Sequence, residues 1–283
     1  MHVTLSDIGE MWVHGVAHDA RRYAIFAVVV WFTLWIVLAR VLRPRKIREE
    51  TPPARQLLIE FLFSLRSIAV FSTVGIGINL AEMAGLFPMS PMAASWGPAW
   101  FVASLAVMIV AQDAWIYWTH RWMHRPRWFR TFHRRHHRSN NPSPFTAYSF
   151  DLGEAFLMVI FVAVWPAIFP TPWGVINLFM FHQIFRNTML HAGYELTPAR
   201  ADGRPWLDWI TTTTHHDLHH AQAGYNFAPW FTWWDRWLGT EHPRYHAEYA
   251  RAAGRALLPP GPTARSFWRS ERGAGTQAES RRL

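Results

Sequence analysis

Long apolar runs separated by clusters of arginine and histidine organise this chain. Residues 23–39 form an uncharged run rich in Val, Trp and Phe, close to the ~20 residues a membrane-spanning helix needs. The run ends in Arg40, Arg43, Arg45, Lys46 and Arg48. Residues 67–87 follow Arg66, are interrupted only by Glu82, and predict a second span before a Pro/Met/Ser/Gly loop at 88–98. Residues 99–118 predict a third, which carries Asp113 and runs without a break into His120. Residues 155–169 and 173–190 are an apolar pair joined by Pro170-Thr171-Pro172; each arm is slightly short for a full crossing, so the pair either spans or dips in and returns. The pattern predicts an all-α integral membrane protein of four to five embedded helices, three spans plus a helical hairpin, beneath a helical cap.

Positive charge gathers after the first and third runs, which predicts that both ends are cytoplasmic and the N-terminus lies outside. Both ends of the hairpin fall on one side, so 119–154 and 191–250 share the cytoplasmic face. Residues 1–22 read as a retained amphipathic segment, since Asp7, Glu10 and Asp19 do not fit a signal peptide. The resulting division is 1–22 amphipathic, 23–98 transmembrane, 99–250 a histidine-bearing domain, and 251–283 an Ala/Arg/Pro/Gly/Ser tail predicted to be disordered.

Composition narrows the chemistry. Of 283 residues 51% are hydrophobic, with 18 Trp and 20 Phe, which suits a membrane protein. There are no cysteines, so disulfides, thiolate zinc sites and iron–sulfur clusters are excluded and histidine must supply any nitrogen-ligated metal. The formal charge of +9 is carried mostly by arginines beside apolar segments, which favours anionic lipid headgroups as the counter-charge and no nucleic acid.

Histidine spacing supplies the candidate site. His120 and His124 lie at i and i+4, stacked on one helix face. His133, His136 and His137 repeat the idea at i, i+3 and i+4, and His216, His219 and His220 repeat it with the same spacing. Three such boxes on one predicted membrane side point to a metal centre, and eight imidazoles are too many for one ion. Imidazole-rich sites suit iron, zinc, copper or nickel, so ligand type alone leaves the metal open. Asp113 is placed either to accept a ring N–H from a ligating imidazole or to pair with Arg121 or Arg125. Asp151, Glu154, Asp217 and Asp235 are similar candidates, Asn226 is a candidate hydrogen-bonding neighbour, and His215 a supporting or alternate ligand. His182, with Arg186 in an apolar segment, is either a polar contact within the hairpin or a ligand. His2, His14, His18, His242 and His246 belong to no box and are expected at the surface. Trp230, Trp233, Trp234 and Trp237 read as an interfacial belt.

The boxes resemble the membrane fatty acid hydroxylase and sterol desaturase superfamily. The flanks Gln112-Asp113, Tyr117-Trp118, Phe231-Thr232-Trp233-Trp234-Asp235-Arg236 and Leu238-Gly239-Thr240 extend the likeness over about residues 99–245, and the third box with its Trp-Trp-Asp stretch is similar to the sterol C4-methyl oxidase branch. The resemblance adds His191, in His191-Ala192-Gly193-Tyr194, as a ninth ligand. It implies two Fe ions, O2 as co-substrate, and hydroxylation or desaturation of a lipid from the bilayer, whether sterol, fatty acyl or related. With no flavin fingerprint and no fused cytochrome domain in view, electrons are expected from a separate ferredoxin- or cytochrome b5-type donor, for which Arg125, Arg127, Arg130, Arg134, Arg135 and Arg138 offer a basic face. The rival readings are a zinc-dependent membrane hydrolase, which lacks a His-Glu-x-x-His arrangement, and a metal transporter or sensor, which would favour ionisable groups at mid-span.

Overall fold

The computed structural model describes residues 3–86 and 92–255; these are helical and turn structure, with isolated bridges and no strand among them. Three helices are long and apolar enough to cross a membrane, so the chain is an all-α integral membrane protein. The first, α1 (Leu5–Trp31), is continuous with a π-helical turn Phe32–Val37, 33 residues in all. It is followed by α2 (Ala54–Met83), α3 (Gly97–Met123) and a short α4 (Pro126–Phe132). Next come α5 (Leu152–Ile168) and α6 (Trp173–Leu190), then α7 (Thr213–Ala221), α8 (Trp233–Trp237) and α9 (Tyr245–Ala252).

The first crossing begins earlier than its apolar run. Thr4 and Asp7 form a reciprocal capping box, so the helix starts at Leu5 and runs through residue 23 without a break. Its register against α2 is fixed by Trp12 Nε1 donating to Thr73 Oγ1 (3.0 Å), by Gly15 against Ser72, and by Tyr23 stacked on Phe61 at 5.8 Å. Residues 5–20 therefore lie opposite 66–81, at the depth of the second apolar run. The other half of α1 reaches the cap: the Tyr23 hydroxyl donates to the Phe145 carbonyl and the Trp35 indole to that of Ala192. Hydropathy missed this because the polar residues of 5–22 form a stripe on one helical face.

Helix ends converge at the cap. Gln56 Nε2 at the start of α2 bonds the Asn141 carbonyl, α3 ends at His120 and Met123, α5 begins beside Glu154, and α6 ends at His191. The hairpin of α5 and α6 runs to the far side, where Trp100 near the start of α3 donates to the Pro170 carbonyl (3.1 Å) and stacks on Phe169. From Trp100 to His120 is about 30 Å at 1.5 Å per residue, the thickness of a bilayer core. Packing at this depth is aromatic and aliphatic, around Tyr23, Ile68, Met123, Tyr148 and Met158 on one side and Met108, Phe161, Ile176 and Phe179 on the other. The loop predicted at 88–98 lies partly, and the tail beyond 255 wholly, outside the described residues, while Arg251 and Ala252 end α9.

Candidate metal centre

Nine histidines meet in two clusters at the cap. His120, His124, His133, His137 and His219 form one, and His136, His191, His216 and His220 the other; within each, one ring nitrogen per residue lies within 4.8 Å of all the rest. The first box maps onto one cluster, and the other two divide between both. His120 and His124, one turn apart at the end of α3, face the five-histidine cluster together. In α7, His216 and His220 at i and i+4 face one cluster, while His219 at i+3 faces the other. The second box divides likewise, His133 with His137 and His136 across, although it is not helical as the spacing predicted: α4 ends at Phe132, and the box sits on a turn and a 3-10 segment, His136–Arg138.

Ring geometry tests whether these groups fit a cation. The Nε2 atoms of His124, His137 and His219 form a triangle of 3.2, 3.2 and 2.9 Å. In the other cluster His191 Nε2 lies 3.0 Å from His216 Nε2 and 3.3 Å from His220 Nε2. A hydrogen bond joins two nitrogens, so three in mutual contact leave lone pairs facing one another unless a positive centre lies between them. Imidazoles bound to a metal at about 2.0–2.1 Å put neighbouring nitrogens about 3 Å apart at right angles. The opposite ring nitrogens fix the tautomer. Nδ1–H of His120 donates to the Phe227 carbonyl (2.8 Å), that of His219 to Tyr225 (2.6 Å) and that of His191 to Asn187 (2.7 Å), leaving each Nε2 lone pair free. His133 Nδ1 lies 2.8 Å from Glu154 Oε1.

Burial keeps these rings neutral. It is the largest cause in each case: His191 is pushed down to about 4 and His137 to about 3, and His133, His136, His216, His219 and His220 fall well below the usual imidazole value. Neutral imidazole is the ligating form. A small cavity of about 50 Å³ touches both clusters, lined by His120 and His133 from one, His136 and His216 from the other, and by Phe150 and Met158.

Several neighbours stand elsewhere than the sequence suggested. Asp113 touches neither a ligating ring nor Arg121 or Arg125; its carboxylate accepts the backbone N–H of Trp230 and Phe231 and the indole of Trp233. Asp235 accepts the N–H of Phe227 and Ala228. These two carboxylates hold the 225–231 loop, whose carbonyls receive His219 and His120. Asp151 accepts the N–H of Arg135 and so anchors the second box. Asp217 pairs with Arg48 at 2.8 Å, away from the clusters. Asn226, at φ 57°, bonds the His215 carbonyl and the N–H of His242 and reaches no box ring. His215 is fully buried but outside both clusters, 3.8 Å from Asp235 and edge-on to Tyr245. His182 joins neither cluster and packs against Trp230, with Nδ1 unbonded. His242, expected at the surface, is 4% exposed because it bonds Gln222 and Asn226 in the cap. Trp230 is likewise a buried core residue and not part of a belt, its indole bonded to Gln112. Sequence reasoning did not find the carbonyls of Asn187, Tyr225 and Phe227, since a backbone acceptor leaves no residue-type signal.

Comparison with known proteins agrees with this geometry. The fatty acid hydroxylase family model matches residues 105–240, which hold all nine clustered histidines. Lathosterol oxidase of Rattus norvegicus is 26% identical over 192 residues, 66% of this chain and 62% of that protein. Cholesterol 25-hydroxylase of Rattus norvegicus is 28% identical over 242 residues, covering 78% and 73% respectively. Delta(7)-sterol 5(6)-desaturase of Saccharomyces cerevisiae is 33% identical over 133 residues, 47% of this chain and 34% of that one. The chain thus spans under two thirds of the length of lathosterol oxidase. No solved structure matches it. Through residues 105–240, just under half of its length, and the histidine boxes they contain, the chain is similar to the fatty acid hydroxylase family and to sterol desaturases.

Proposed function

We propose that this chain is a non-haem di-iron oxidoreductase that hydroxylates or desaturates a bilayer lipid with O2. The observation that carries the reading is the pair of imidazole clusters sharing one small, largely apolar cavity. The five-histidine group would hold one iron and the four-histidine group the other. Two irons so held supply the reduction of dioxygen and the removal of hydrogen from an unactivated C–H bond. The protein's own part is orientation and exclusion. The carbonyls of Phe227, Tyr225 and Asn187 keep Nε2 of His120, His219 and His191 aimed inward, and Glu154 Oε1 lies 2.8 Å from Nδ1 of His133. Phe150, Met158, Ile116 and Trp230 wall the cavity against water and hold the reacting carbon beside both clusters.

In this reading residues 99–250 are the catalytic unit, the cap faces the cytoplasm, and the exposed Arg125, Arg127, Arg130, Arg134 and Arg138 receive an acidic ferredoxin- or cytochrome b5-type donor. Names of the similar proteins favour a sterol, since lathosterol oxidase and cholesterol 25-hydroxylase both carry sterol names. Anaerobically purified protein is expected to hold two irons per chain, and lipid extracts from cells carrying it to contain a product 16 mass units heavier or 2 lighter. One iron per chain, or full turnover with zinc alone, overturns the proposal.

A further inference from the structure

A second, much larger cavity of about 870 Å³ opens between α1, α2, α5 and α6 on the side of the bundle away from the cap. One wall is apolar, from Phe71, Ile76, Ile78, Val162 and Ile176; the other is the polar stripe of α1, Asp7, Glu10, His14, His18 and Asp19. The α1–α2 register places that stripe opposite residues 66–81, at bilayer depth, where ionisable side chains are costly and mark sites. Glu10, His14 and Asn79 make no hydrogen bond or ion pair among the described residues. Ser72, 6% exposed and lining the same cavity, has an unbonded hydroxyl. The cavity is aligned with the small one beside the clusters: Val162 follows Met158 by one turn of α5, and Ile176 precedes Gln183 by two turns of α6.

We propose that this cavity seats the polar end of an elongated lipid substrate, and that this end is a neutral hydroxyl. Asp7, Glu10 and Asp19 would repel a carboxylate or phosphate head, whereas a hydroxyl can donate to a carboxylate and accept from the ring N–H of His14 or His18. Its volume lies within the ~300–1,000 Å³ of small-molecule sites. The apolar body then runs between α5 and α6 toward the clusters, so the reacting carbon is chosen by its distance from the hydroxyl. The proposal rests on the lipid oxidoreductase reading for its direction, but the site is testable without turnover.

The test uses two photoreactive probes in nanodiscs, a diazirine sterol with a free hydroxyl and a diazirine fatty acid with a free carboxylate, with cross-linked peptides mapped and bound metal measured in parallel. The sterol probe is expected to label α1 and α2 peptides around the cavity at least 10-fold more than the fatty acid. Gly75→Trp is the blocking variant: Gly75 lines the cavity and an added Cβ meets nothing within 4 Å, so the helix tolerates it while the indole fills the space. It should remove the labelling and leave metal content unchanged, and Glu10→Leu with His14→Leu should lower it. Equal labelling by both probes, or sterol labelling that survives Gly75→Trp, overturns the proposal. Failure of the iron reading would appear separately, as missing metal in protein that still labels.

Discussion

Each buried imidazole whose Nδ1 meets a carbonyl or carboxylate has a fixed direction, so the partner should matter nearly as much as the ring. Glu154→Ala removes the carboxyl group that lies 2.8 Å from His133 Nδ1, and should weaken metal affinity by ~10–100-fold without unfolding the protein, as metal retention during dialysis against a chelator will read. His216→Ala should empty the four-histidine centre while His120→Ala empties the other, each halving bound iron in protein of unchanged detergent profile; loss of nothing in either would remove the ligand assignments. Acid acts at the same scale. His191 and His137 titrate near 4 and 3 when folded but near 6.5 when unfolded, so the unfolded chain takes up protons first. Stability of the metal-free protein is fully present above pH 6.5 and is lost as the pH falls from 6.5 toward 4, a slope visible in melting temperature. At this scale the sequence was legible where residue type and spacing carry the signal: eight of the nine clustered histidines stand in the boxes, and His191 entered only through the family resemblance. It was illegible for Asp113, whose partners are backbone N–H groups and an indole that spacing does not encode.

Turns and helices decide how those residues divide. A spacing of i, i+3 and i+4 was readable, and on α7 the shared face of i and i+4 was too, but not that the i+3 member would cross to the other cluster. That depends on where α7 lies against α3 and the second box, which is tertiary. The second box copies the division without being helical, because His133 closes α4 at φ −143° and the chain then tightens into a 3-10 turn. Gly193 belongs to the same layer. Its φ of 77° and the Trp35 ring packed against it leave no place for a side chain. Gly193→Ala should therefore cost more than ~1 kcal/mol and loosen His191 two residues away, lowering both melting temperature and the affinity of the four-histidine centre.

Across the whole molecule the apolar runs announced the spans, but the polar stripe of α1 hid where the first one starts. Because the chain lacks cysteine, single introduced thiols are unambiguous reporters of side. Cysteines at the exposed positions Arg134 and Ala247 should react only with reagent on the cytoplasmic side, and one at Ser6 only from the other; opposite labelling of the first two would separate the boxes. The crossing of His219 and His136 between clusters has a consequence for biosynthesis. A nascent chain that has emerged only to Thr212 holds four of the five histidines of one centre and two of the four of the other, so neither is complete while α1 to α6 insert. Docking of α7 brings the last histidines to both clusters at once, so in the di-iron reading metal would be loaded late, after the helices before it have inserted.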